Sequence, residues 1–319
     1  MKKRVLITGA GGFIGHFLAR FLRSKGYWVR GVDLVKPLFS SLDDFDDFLI
    51  ADLREYRNCA KATKNIDEVY ALAAQNGSIE FTTTIRAMIM HDNVIINANT
   101  AESCRENGVK RLFFSSSACV YPVAKQGKVK AIPLTEKSAY PAEPDSEYGW
   151  EKLFSERLYQ AYAKDYGLEV RIARFFNIYG PECLIDTLRS KAPLALTRKV
   201  ILAGEGGRVK IWGDGKQTRS FLYIDDCVEA IWRLMESNIE EPINLGTTDL
   251  LSINALVDLI AEIEGVTIHK VHELDKIQGV RGRHCDLARA NTLLGWTSQV
   301  GMKEGLSVVN KFVHQELDR

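Results

Sequence analysis

The chain has 319 residues, 46% of them hydrophobic, enough to bury a substantial core in one large domain or two closely joined ones. Its 42 basic and 41 acidic residues leave a net charge of +1 and are spread along the chain, which argues against a nucleic-acid surface. Cysteines at 59, 104, 119, 183, 227 and 285 form no Cys-x-x-Cys pair or dense cluster, and no segment reads as an export signal or membrane span, so neither a metal site nor a disulfide framework is expected and a reducing, cytoplasmic setting is.

In chain order, β-branched runs alternate with amphipathic stretches, the pattern of strand-helix-strand units on a parallel sheet. Strands are predicted at Arg4 to Ile7, Val29 to Val32, Glu68 to Ala71 and Arg111 to Ser115. Helices are predicted at Ile14 to Lys25 and Asn93 to Asn107, each followed by a glycine, 26 or 108, suited to a left-handed cap. The expected fold class is therefore α/β, a doubly wound parallel sheet of the Rossmann type, with a smaller C-terminal α+β domain for the substrate. Residues 1–177 with about 221–246 should bind the cofactor, and about 178–220 with 247–319 the substrate. No repeat, low-complexity tract or long linker separates the two parts, which puts the ligand site in the cleft between them.

Gly9-Ala-Gly-Gly12-Phe13-Ile14-Gly15 follows the first strand and opens the first helix. Glycines there permit a tight turn and let helix N-terminal amides approach a pyrophosphate. The second strand ends in Val32-Asp33, placing a carboxylate where it accepts ribose hydroxyls and repels a 2′-phosphate, so NAD is expected rather than NADP. Asp52 suits either the adenine amino group or a helix N-cap. Further on, Tyr148-Gly-Trp-Glu-Lys152 puts a phenol and an ammonium four residues apart, on one helical face. A neighbouring cation favours phenolate, making the tyrosine a base for a hydroxyl proton. Ser117, where a buried strand runs out into small residues, is placed to share that proton.

The glycine turn, Ser117, Tyr148 and Lys152 resemble the extended short-chain dehydrogenase/reductase family over nearly the whole chain. The resemblance implies tightly held NAD, oxidation of a nucleotide-sugar hydroxyl, chemistry on the resulting ketone and return of the hydride. Members that act as 4,6-dehydratases carry an Asp-Glu pair where this chain has Ala118 and Cys119, and simple 4-epimerases carry a non-basic residue at the second place. A thiol at 119 fits abstraction of the acidic protons beside a 4-ketone. Ser117-Ala-Cys119-Val-Tyr-Pro122, Pro141-Ala-Glu-Pro144, Asn177-Ile-Tyr-Gly-Pro181, Lys191-Ala-Pro193, Trp212 to Ser220 and Gly279-Val-Arg-Gly-Arg283 resemble the branch of the family that epimerises GDP-hexoses at C3 and C5.

That likeness implies that Lys191 supplies a proton on the ring face opposite Cys119, that Arg219 and Arg281, less firmly Arg283, hold the diphosphate, and that helices over 93–107 and 147–164 pair subunits in a homodimer. Asn177 matches a substrate-touching position but equally suits a backbone-bonded turn. The chain departs from the branch at Gln75-Asn-Gly77-Ser-Ile79-Glu80-Phe81, where a more glycine-rich, methionine-containing loop is expected beside the sugar; the bulk of Ile79 and Glu80 bears on which sugar fits. The competing readings are a 4-epimerase or 4,6-dehydratase in which Cys119 only packs, and a non-catalytic NAD-binding regulator, which has no need of both Tyr148 and Lys152.

Overall fold

A computed structural model describes residues 2–185 and 189–319. The first part of the chain folds as β1 (Arg4–Thr8), α1 (Phe13–Ser24), β2 (Trp28–Asp33), β3 (Asp47–Ile50), α2 (Tyr56–Thr63), β4 (Glu68–Ala71), a short α3 (Ile79–Thr84), α4 (Arg86–Glu106), β5 (Arg111–Ser117), α5 (Glu147–Tyr166) and β6 (Glu169–Phe175). There follow β7 (Ile178–Tyr179), α6 (Ala192–Ala203), β8 (Gly207–Trp212), β9 (Thr218–Arg219), β10 (Leu222–Tyr223), α7 (Ile224–Glu236), β11 (Ile243–Leu245), β12 (Leu251–Ser252), α8 (Ile253–Glu264), β13 (Ile268–Glu273), β14 (Gly282–Arg283), α9 (Ala288–Leu294) and α10 (Met302–Leu317).

Among the described residues seven strands form one parallel sheet in the order β11-β6-β5-β4-β1-β2-β3. Strand order reverses between β1 and β4, and a ligand crevice opens at the carboxyl ends of the strands at such a reversal. Alternation along each strand feeds two cores. Val5 and Ile7 pack with Leu18 and Leu22 of α1 and Ile231 of α7, whereas Leu6 packs with Cys59, Ala101, Cys104 and Tyr159 from α2, α4 and α5. Gly26 and Gly108, after α1 and α4, take positive φ of 87° and 64°, which a side chain would resist.

α4 starts at Arg86, seven residues before the predicted start. Of the added residues Ala87, Met88, Ile89 and Met90 only Ile89 is buried, so they mark no apolar face, and the helix buries Asp92, Asn93, Asn97, Thr100 and Ser103 as well. Those polar groups are satisfied in the interior: the Asn93 and Asn97 amides donate to Glu151 (3.2 and 2.9 Å), and Ser155 donates to the same carboxylate at 2.8 Å.

The C-terminal region builds short sheets, β10-β7, β12-β9-β14 and β13-β8, with α6, α8 and α10 packed together. The segment from Ile224 to Leu245 returns to the large sheet, α7 against α1 and β11 against β6. Asn244 on β11 donates to the Leu134 and Asp286 carbonyls at 2.8 and 3.2 Å, tying the strap after β5 to the far end of the chain.

One buried ion pair stiffens the sheet behind the crevice. Arg174 of β6 grips Glu156 of α5 through Nε (2.9 Å) and Nη2 (2.7 Å), donates to the Glu136 carbonyl at 2.7 Å, and Ser116 donates to the same Glu156. Both side chains are 3% exposed. Removing one member of such a pair strands the other's charge, so Glu156→Gln should cost about 3–5 kcal/mol, measured by urea unfolding. A loss under about 1 kcal/mol, no more than a surface pair gives, would show that Arg174 finds another partner.

Candidate active site

The crevice begins with the turn after β1. The Gly12 amide donates to the Gly9 carbonyl at 3.1 Å, and Gly9 has φ +69°. A Cβ at Gly15 would overlap that carbonyl, so α1 lies against the turn only because residue 15 has no side chain. Gly12 caps α1, leaving the amides of Phe13 and Ile14 in the first turn, where helices have unpaired N–H groups for an anion. Across the turn, Asp33 Oδ2 accepts from the Gly11 amide at 3.0 Å and Oδ1 from Leu34 at 2.6 Å. Burial raises the Asp33 pKa, while these amides pull it back. An open glycine cradle, a helix N-terminus and a carboxylate at the tip of β2 are a donor set that fits a dinucleotide diphosphate and ribose. Asp52 is engaged elsewhere: both its oxygens take the Arg54 guanidinium and Oδ1 also accepts the Arg54 amide at 2.9 Å. These contacts fix it in the turn before α2, whose N-cap is Glu55, so Asp52 is not the helix cap that the sequence also allowed.

Tyr148 and Lys152 lie one turn apart on α5, whose N-cap Ser146 accepts from the Gly149 amide. Tyr148 is 8% exposed and Lys152 1%. The ammonium sits 5.6 Å from the centre of the Tyr148 ring and 4.8 Å from that of Phe114. From sequence alone this cation is expected to draw the phenol pKa toward neutrality. In the protein alone burial dominates: it pushes the Tyr148 pKa well above its ordinary value, Cys119, Glu151 and Asp145 add to the rise, and the Ser117 hydroxyl opposes it. Burial also lowers Lys152, against the Glu151 and Glu156 carboxylates. Both groups are therefore held toward their neutral forms, as desolvation without an added charge requires.

Ser117 ends β5 and its Oγ accepts from the Cys119 amide at 3.2 Å, folding Ala118 to Val120 into a single 3-10 turn. This turn holds the Cys119 thiol beside a guanidinium: Arg283 Nη1 lies 3.4 Å from Sγ. Arg283 is fixed on its other edges by Asp145 and by Gln126 Oε1 at 2.7 Å. Burial and Asp145 raise the thiol pKa while Arg283 and Ser117 pull it down. Asp145 and Gln126 are not among the residues expected at the site, and of the three arginines Arg283 is the one against the cysteine.

Gly149 supports this arrangement from below, since a Cβ there would overlap the Cys119 carbonyl. Gly149→Ala must therefore displace the thiol turn. Overpacking of this kind costs about 1–3 kcal/mol, and displacements near 1 Å cost reaction rates about 10²-fold. Turnover measured beside urea stability checks this; a variant with wild-type turnover would show that the turn yields harmlessly.

Lys191, just before α6, reaches back to the loop after β4, donating to the Gly77 carbonyl at 2.7 Å and to Asn76 Oδ1 at 3.4 Å. Burial lowers its pKa, with the Cys119 and Cys183 thiols acting in the other direction, so Lys191 and Cys119 share one electrostatic neighbourhood. Glu80 lies in the first turn of α3, directly after the same loop. Arg219 is half-buried, donates to the Thr218 carbonyl at 2.8 Å, and is pulled down to about 9 by desolvation and then by Arg283. Arg281 is already paired, both nitrogens on Asp214 at 2.9 Å, which holds that carboxyl down at about 2. Asn177 has φ +46° and donates to the Ser220 carbonyl at 2.9 Å, bracing the β7 and β9 connections. Among the described residues no cluster of His, Cys, Asp or Glu is placed to hold a metal ion.

The reversal in strand order, the glycine turn and the Tyr-Lys pair define a dinucleotide-dependent enzyme of the Rossmann class. Residues 5–246 match the model of the NAD dependent epimerase/dehydratase family, and the chain belongs to that family, whose cofactor is NAD. It is 40% identical to GDP-mannose 3,5-epimerase of Arabidopsis thaliana over 317 residues, 99% of this chain and 83% of the relative. It is 29% identical to GDP-L-fucose synthase of Escherichia coli K12, over 100% of this chain and 98% of that one. Among solved structures, UDP-glucose 4-epimerase of Thermotoga maritima with UDP-glucose superposes with a TM-score of 0.88 at 27% identity, covering 98% and 99% of the two chains. MoeE5 in complex with UDP-glucose and NAD gives 0.83 at 30% identity with the same coverage.

Proposed function

We propose that the protein is an NAD-dependent epimerase of a nucleoside-diphosphate hexose, a GDP-hexose, acting through a 4-keto sugar with inversion at C5 and C3. The observation that supports this reading is the thiol turn after β5: the Cys119 amide donates to Ser117 Oγ at 3.2 Å, and the thiol acts electrostatically on both Tyr148 and Lys191. The full-length likeness to GDP-mannose 3,5-epimerases supports it. Residues 1–177 with 221–246 are assigned to the cofactor and 178–220 with 247–319 to the nucleotide sugar.

Gly9, Gly12, Phe13, Ile14, Gly15 and Asp33 would hold NAD, which would supply a reversible hydride acceptor beside the sugar. Tyr148 takes the C4 hydroxyl proton, with Ser117 in the relay and Lys152 stabilising the phenolate. A carbonyl at C4 makes the neighbouring C–H bonds acidic. Cys119 removes such a proton as thiolate, the form that Arg283 favours, and Lys191 returns one to the other face. Arg219 is the guanidinium assigned to the diphosphate; Arg281 takes that role only by leaving Asp214. We assign Asn177 and Glu80 to the sugar end.

A homodimer through α4 and α5 is part of the proposal, supported by Met88, Trp150 and Phe154, exposed on those helices. A cytoplasmic setting is supported by six cysteines that are all free thiols. Among the described residues no helix is long and apolar enough to cross a membrane.

The deciding experiment incubates purified protein with a panel of GDP- and UDP-hexoses in deuterated water and reads products by NMR. Epimers labelled at C5 or C3 are expected. Inversion at C4 without label would make the protein a 4-epimerase, and loss of water would make it a dehydratase.

A further inference from the structure

The loop from Gln75 to Phe81 carries an assembly directed at one side chain. Asn76 Oδ1 accepts from the Gly77 amide at 2.8 Å, which fixes the oxygen as the atom turned toward Lys191 Nζ at 3.4 Å. The Gly77 carbonyl is the second acceptor, at 2.7 Å. Two residues earlier, Arg189 donates to Gln75 Oε1 at 2.9 Å and lies 4.7 Å above the Phe81 ring, so the chain around Lys191 is fastened to this loop at both edges. The loop itself is anchored from behind. Asn93, fully buried, accepts from the Gln75 amide at 2.6 Å, donates to the Gln75 carbonyl at 3.2 Å, and is held in turn by Glu151.

From this geometry we propose that Asn76 is a positioning residue that, with the Gly77 carbonyl, cradles the Lys191 ammonium and keeps it protonated for proton donation in the site. The proposal rests on the epimerase reading only in its last clause. Burial favours the neutral amine, which has no proton to give, whereas two acceptors aimed at Nζ favour the charged form. The other groups facing Lys191 are the thiols of Cys119, on the turn after β5, and Cys183, on the loop after β7. Cys119 is itself capped by Arg283 with Asp145, and Arg189 on the same loop is engaged with Gln75. An amide at 76 therefore contributes a neutral acceptor where the described neighbours supply no carboxylate at hydrogen-bond distance.

The test measures Lys191 directly. NAD-loaded full-length protein is labelled with trace acetic anhydride across a pH series, and acetylation of the Lys191 peptide is followed by mass spectrometry. Asn76→Leu removes the acceptor, so the labelling midpoint should move to lower pH by about one pH unit, a tenfold gain in reactivity at fixed pH. Asn76→Asp adds an anion, and the midpoint should move to higher pH. A purely structural role for Asn76 would not give opposite displacements. Midpoints that stay at the wild-type value, or move together, overturn the proposal. Deuterium exchange on the same samples separates the two readings. Opposite displacements in a protein that exchanges no sugar proton leave the cradle standing and defeat the epimerase assignment; normal exchange with unmoved midpoints does the reverse.

Discussion

Tyr148→Phe should lower turnover by about 10²–10⁴-fold while leaving NAD bound, because the phenol is the group in the crevice assigned to remove a hydroxyl proton. The buried phenol has a raised pKa, so only a small fraction is phenolate near neutrality, and wild-type turnover should climb as pH increases. A bound cofactor with a positive ring would add a charge that the protein alone does not contain, whereas Lys152, one helical turn from the phenol, is itself held toward the neutral amine by burial. Phe keeps the ring and its packing but has no proton to exchange, so the alkaline rise should vanish with the rate. Initial rates across pH, with NAD occupancy read on the same samples, test this. A Phe variant that retains more than a tenth of wild-type turnover and the same pH limb would remove Tyr148 from the role of base.

The parts of this site that were legible in the sequence are those whose chemistry is local. A glycine turn between strand and helix, a carboxylate ending the next strand, and a Tyr and Lys one helical turn apart are each written within a few residues, and β1, α1, β2 and α5 hold them as spacing requires. Resemblance, not spacing, brought Cys119 and Lys191 together. What stayed hidden depends on partners distant in the chain. Arg283 meets Asp145 across 138 positions, and a lone arginine reads as a surface charge until burial is known. Arg281, favoured over Arg283 by motif, is tied to Asp214. The start of α4 was obscured for a related reason: its apolar residues Ala87, Met88 and Met90 are not buried whereas Asp92 and Asn93 are, paired with distant groups, so apolar spacing marks no face there. β6 escaped in the same way, with Arg171 and Arg174 buried inside it.

Cys119→Ala should separate the two halves of the proposed cycle. With Tyr148, Ser117 and Lys152 untouched, a nucleotide hexose should still reduce bound NAD, seen as nicotinamide absorbance, whereas deuterium entry at C5 and C3 should fall by about 10²–10⁴-fold. The thiol is suited to this division of labour because the largest influences on its proton equilibrium lie outside the Tyr-Lys-Ser set: burial and Asp145 hold it protonated, and Arg283 at 3.4 Å, aided by Ser117, stabilises the thiolate. Iodoacetamide should consequently alkylate Cys119 faster as pH rises, and Arg283→Gln should move that alkylation to higher pH, since the guanidinium is the cation in contact with sulfur. Nucleotide sugar should protect the wild-type thiol if it lies against the ring. Deuterium entry that continues at the wild-type rate in the Ala variant would leave Cys119 a packing residue, and the proton removed beside the ketone would need another acceptor within the crevice.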